Sequence, residues 1–180
     1  MFGVLWLAAA ILVGFSGMFR QLRPPQPQII IFGLTGGLVA AYWLSRTFSE
    51  SLKELDLRAV LALHLTRFVG FYFLWLYGRE ELPYRFAVPG GWGDIMVATG
   101  AAILLATWSG FGRRRPVLLI WNVIGLVDIL FVMATAAAEA RAVPSSMAAL
   151  LRMPLSLLVT FLVPLIVSSH LLVFARLRSR

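Results

Sequence analysis

Six windows of mainly apolar residues alternate with short polar gaps along the chain, at roughly 1–19, 28–45, 59–78, 95–111, 117–138 and 155–175. Each approaches the ~20 residues a helix needs to cross hydrocarbon, with the second and fourth windows the shortest. The pattern predicts an all-α integral membrane bundle of about six transmembrane helices forming a single domain, 1–180. The first window has the position of a signal peptide. It lacks a basic n-region and ends in Phe19-Arg20 instead of a small-residue cleavage site, so it is expected to stay as a span. No period of 20–50 residues is evident, nor an inverted repeat relating residues 1–90 to 91–180.

The gaps differ in character. Pro24, Pro25 and Pro27 predict a stiff, extended connection ahead of the second window. Thr47 with Glu50, and Ser51 with Glu54, have capping-box spacing, which predicts a short interfacial helix leading into the third span. Before the fourth window, Pro89-Gly90-Gly91-Trp92-Gly93-Asp94 predicts a turn, with Asp94 capping the helix that follows and Trp92 anchoring at the interface. The same glycines would also suit a ligand loop. Gly33 with Gly37, Ala98 with Ala102, and Ala134 with Ala138 have the spacing that lets helices approach closely in lipid.

Composition strengthens the membrane reading. Hydrophobic residues make up 60% of the 180 and charged residues only 13%, about half the share found in soluble domains. The net charge of +8 changes meaning once the basic residues are placed, because nearly all lie in the short gaps. Nucleic-acid binding is excluded on that distribution. Nine Lys and Arg side chains fall on the side holding 46–58, 112–116 and the C-terminal tail, against six on the other, which predicts both termini in the cytoplasm. Arg113-Arg114-Arg115 and the tail Arg176, Arg178 and Arg180 are the densest groups. The expected location is a bacterial cytoplasmic (inner) membrane, with the lipid bilayer as the main partner and other membrane subunits or a second copy as further contacts. Absence of cysteine removes disulfides, thiolate metal sites and a cysteine nucleophile.

Candidate chemistry is confined to polar residues inside apolar windows, where an unpaired charge costs roughly 2–3 kcal/mol or more. His64 and Arg67 lie on the third span, Asn122 and Asp128 on the fifth, and His170 on the sixth. His64, Asn122 and His170 each sit five residues from the cytoplasmic side, about 7–8 Å deep. Helical phase places His64 with Phe68, Phe71 and Trp75. Pro164 withdraws the hydrogen bond normally accepted by the Thr160 carbonyl and predicts a kink in the last span.

The leading functional expectation is a cytochrome b-like electron-transfer subunit. His64 and His170 would ligate a b-type haem iron, Arg67 would neutralise a propionate, and Phe68 and Phe71 would cover the porphyrin. Interhelical hydrogen bonding by the two histidines is the plainer alternative. Arg67 and Asp128 differ by about 4.5 Å in depth, which predicts an ion pair. That pair suits a small-solute or proton transporter or channel using Asn122 along the same path, or a purely structural role. An accessory subunit with no ligand of its own is the third possibility. No metalloprotease, phosphate-loop or Ser/His/Asp pattern is found, and an enzymatic activity is not assigned.

Overall fold

A computed structural model describes residues 2–108 and 111–178, with side chains described over 3–108 and 115–178. The side chains of Arg113 and Arg114, and all of Arg180, lie outside the described residues. The chain forms α1 (Phe2–Phe15), α2 (Gln26–Leu44), α3 (Arg46–Glu54), α4 (Leu57–Leu63), α5 (Gly70–Gly78), α6 (Tyr84–Ala106), α7 (Phe111–Ala142) and α8 (Val163–Arg178). A 3-10 segment, His64–Val69, joins α4 to α5 into one rod, and a π turn, Leu158–Leu162, leads into α8. A further 3-10 segment, Pro144–Leu151, follows α7. There is no strand among the described residues.

Five helical stretches are long and apolar enough to cross a membrane: Gln26–Leu44, Leu57–Gly78, Tyr84–Ala106, Arg115–Ala142 and Leu158–Arg178. The first apolar window gives a shorter element than expected. With 14 residues α1 is about 21 Å long at 1.5 Å per residue, short of the ~30 Å hydrocarbon core. Trp6 meets Phe161 edge-on at 5.0 Å, and Gly14 lies against Met153 and Ser156. So α1 runs antiparallel to the last helix and covers only its first turns. Large apolar side chains such as Leu12, Ile29, Phe32, Trp43, Ile120 and Val127 stand exposed around the bundle, a periphery suited to lipid and costly in water.

Local signals explain several boundaries. Ser45 caps α3 by accepting Phe48 N–H at 3.3 Å, and Asp56 caps α4 by accepting Arg58 N–H at 2.9 Å. The short helix before the third span therefore exists, but its cap is Ser45 and not Thr47 or Ser51, whose hydroxyl instead donates to the Thr47 carbonyl at 2.9 Å within the helix. The carbonyl of Thr160, opposite the missing Pro164 N–H, accepts Trp6 Nε1–H at 2.9 Å.

The fourth helix departs most from expectation. Residues 89–94 are not a turn before it but its interior, since α6 begins at Tyr84 after Pro83. Glycine is unfavourable in a helix by about 1 kcal/mol, and here close packing overrides that cost. A Cβ on Gly70 or Gly91 would strike the other's backbone, a Cβ on Gly90 would come 3.2 Å from Val132, and one on Gly93 would enter the Asp128 carboxylate. These glycines let α5 and α7 approach α6. Gly33 and Gly37 do not pack against other helices of the same chain: nothing in it lies within 4 Å of where their Cβ atoms would be.

Burial repeats every third residue along the third rod, at His64, Arg67, Gly70, Phe73 and Leu76. Two apolar clusters fill the ends of the bundle. One gathers Leu61, Val97, Leu118 and Val173, and the other Phe73, Phe86, Val132 and Met147. A polar layer lies between them.

Candidate functional site

Arg67, Asp94 and Asp128 occupy the middle of three rods, as the eleventh of 22, eleventh of 23 and fourteenth of 28 residues in their stretches. The Arg67 guanidinium is 1% exposed and spends each nitrogen on a different acceptor. Nε–H donates to Asp94 Oδ1 at 2.6 Å, Nη1–H to the Gly125 carbonyl at 2.9 Å, and Nη2–H to Asp128 Oδ2. The expected Arg67–Asp128 pair is therefore present, and a second carboxylate joins it. Asp94, expected as a helix cap, is 3% exposed and faces inward. One cation against two carboxylates leaves the trio with an excess negative charge when all three are ionised.

Toward the chain's C-terminal end of the layer, His64 and His170 come together with ring centroids 4.5 Å apart. Asn122 Nδ2–H donates to the His170 carbonyl at 3.1 Å, and Asn122 Oδ1 accepts from His170 Nδ1–H at 2.8 Å. Ser169 Oγ donates to the Ile166 carbonyl at 2.7 Å and lies 3.0 Å from His64 Nε2, from which it accepts. His64 Nδ1 and His170 Nε2 have no partner among the described residues. Trp121 closes this end, edge-on to His64 at 4.8 Å, with its own Nε1–H donating to the Val97 carbonyl at 3.0 Å.

The histidine pair does not frame a haem. Two metal–imidazole bonds of about 2 Å each, plus the reach from each nitrogen to its ring centre, put ligating ring centres about 6 Å apart. At 4.5 Å the rings are in direct contact, with no slot for a porphyrin plane. Phe68 and Phe71 also fail the expected geometry. They stack on each other at 6.0 Å on the exposed surface while His64 is fully buried. The 3-10 segment is the reason: its 120° per residue aligns His64 with Arg67, whereas the 100° of an α-helix would align His64 with Phe68 and Phe71. Among the described residues no group of three or more His, Cys, Asp or Glu is placed to hold a metal ion.

A cavity of about 270 Å³ adjoins the trio. Arg67 and Asp94 lie at one end of its lining, and Leu22, Pro24, Pro144 and Leu151 at the other, where the helices end. Its walls between are mainly apolar, with Gln28 and Thr66 as further polar side chains. A family described as a domain of unknown function (DUF8737) matches residues 24–178. The chain belongs to that DUF8737 family. The matched stretch contains all five long helices, the cavity's charged end and every member of the polar layer, and leaves out α1. No curated protein and no solved structure matches the chain.

Sequence reasoning missed Asp94, Ser169, Gly93 and Gly125. A usable signal existed for Asp94: with α6 begun after Pro83, it falls at mid-helix beside apolar neighbours, like Arg67 and Asp128. No comparable signal marks Gly125, where a Cβ would stand 2.5 Å from His170 Cε1.

Proposed function

We propose that this protein is a small carrier in a bacterial cytoplasmic membrane, with its C-terminus in the cytoplasm, moving a small solute or protons through the bundle of α4–α8. The observation that carries this reading is Arg67 held between Asp94 and Asp128 at mid-length of three rods, at the end of a cavity. Two carboxylates and one guanidinium in an apolar interior are an expensive way to fix helix register, since removing an ion from water costs several kcal/mol. The surplus charge gives the site something to exchange: it is balanced by a proton or by a cationic solute, and either can be delivered from one side and released to the other. The antiparallel run of α1 along the start of the last helix directs its N-terminal end into the bundle, alongside the spanning helices. The exposed apolar periphery supports insertion in lipid.

Proteoliposomes with an entrapped pH dye test transport. Under an imposed potential, with and without a gradient of an organic ammonium ion, proton movement is expected to exceed that of protein-free vesicles, and Asp94→Asn is expected to abolish the excess. Rates equal to protein-free vesicles under every imposed gradient would overturn the reading.

A further inference from the structure

We infer that the cavity beside Arg67 binds a small lipophilic ammonium ion, its apolar body among the aromatic and aliphatic walls and its charged head against Asp94. This deepens the transport reading, on whose charged trio it rests, by naming the class of solute.

Three observations select that chemistry. First, Asp94 both lines the cavity and is incompletely used: its Oδ1 accepts from Arg67 Nε–H at 2.6 Å, while its other carboxylate oxygen has no hydrogen-bond partner among the described residues. A carboxylate oxygen without a donor at a cavity wall is an acceptor for one, and an ammonium N–H supplies a charge-assisted bond. Second, the local charge is wrong for an anion. Arg67 is the trio's single cation, and each of its three nitrogens is already committed to Asp94, Gly125 or Asp128. An incoming anion would meet the Asp94 carboxylate beside an Arg67 whose nitrogens are all committed, whereas a monocation balances the trio's excess. Third, the remaining walls reject a highly hydrated ion. Phe73, Phe86, Met133, Met147 and Ile166 line the space and suit an apolar body. A volume of about 270 Å³ is at the small end for a ligand site and suits a compact arylalkyl amine.

Equilibrium binding of radiolabelled 3-phenylpropylammonium to the purified full chain in detergent, with no gradient required, tests the inference. Saturable binding at one site per chain is expected. Unlabelled 3-phenylpropanol, the neutral analogue, and 3-phenylpropanoate, the anionic one, should each compete at least about tenfold more weakly. Asp94→Asn should weaken binding at least about tenfold. Ala137→Phe, which fills the cavity wall while leaving the trio in place, should do the same and decides the matter if the Asp94 variant does not fold. Absence of saturable binding, a neutral alcohol competing as well as the amine, or a folded Asp94→Asn binding as wild type would each overturn the inference. An alcohol that competes equally would show a site for uncharged apolar chains such as lipid tails. Binding without movement in proteoliposomes would sustain the site and sink transport; movement of protons without this binding would do the reverse.

Discussion

A guanidinium sealed from water needs acceptors in place of the lost solvent, and Arg67 has three, drawn from α6 and α7. The glycines beside it are as important as the carboxylates, because they leave the space those groups occupy. In Gly93→Ala the new methyl enters the Asp128 carboxylate and pushes it off Arg67. The expected loss is about 3–5 kcal/mol, the range for breaking a buried pair from one side, read as a lower melting temperature in detergent. Gly33→Ala makes the contrast: its surroundings are open, and the change should be neutral or stabilise by about 0.5–1 kcal/mol through helix propensity. Equal melting of the two variants would contradict the glycine's role. The Arg67–Asp128 pair was legible from depth alone, since two opposite charges in apolar windows differ by three residues in depth. Asp94 reads as a cap, because a lone acidic residue before an apolar run has that local appearance unless the helix is started after Pro83.

Helices here are ordered by what their neighbours leave unsatisfied. Pro164 denies the Thr160 carbonyl its usual partner, and Trp6 on α1 donates to it. Trp6→Phe keeps the ring contact with Phe161 and loses this bond. A cost of about 0.5–1.5 kcal/mol is expected, together with faster tryptic cleavage at Arg20 as α1 loosens. Unchanged cleavage would show that α1 is held by other contacts. The 3-10 stretch His64–Val69 has the larger functional consequence. It places His64, Arg67, Gly70 and Phe73 on one inward row and turns Phe68 and Phe71 out, reversing the aromatic stripe expected for an α-helix. Nothing local in His64-Leu65-Thr66-Arg67-Phe68-Val69 demands the tighter winding; it follows from fitting two histidines, an arginine and Gly70 against α6 and α8.

At the scale of the molecule, the bundle has apolar ends, a polar middle layer and a cavity that leads from that layer to one end. Its orientation can be read directly, because the chain contains no cysteine to remove. With the C-terminus cytoplasmic, Lys53→Cys should be protected from a membrane-impermeant maleimide in intact cells and Ser145→Cys should be labelled. The opposite pattern would invert the bundle, and labelling at both positions would remove it from the membrane. Both positions are exposed and outside the polar layer, so the labels report side alone.

Hydropathy and length in the sequence by themselves determined an all-helical chain with long apolar helices, because each helix satisfies its own backbone and its apolar run is a local property. The orphaned Thr160 carbonyl and the Arg67–Asp128 pair were also written locally, in one proline and two charges at similar depth. Tertiary structure alone decided that Asp94 joins Arg67, that Gly93 and Gly125 make room for the charged and imidazole groups, and that His64 and His170 touch without a slot between them. Those outcomes depend on helix phase and on close approach between residues 27 to 106 positions apart, and a 20° per residue change in winding over six residues is enough to exchange one face of a helix for another.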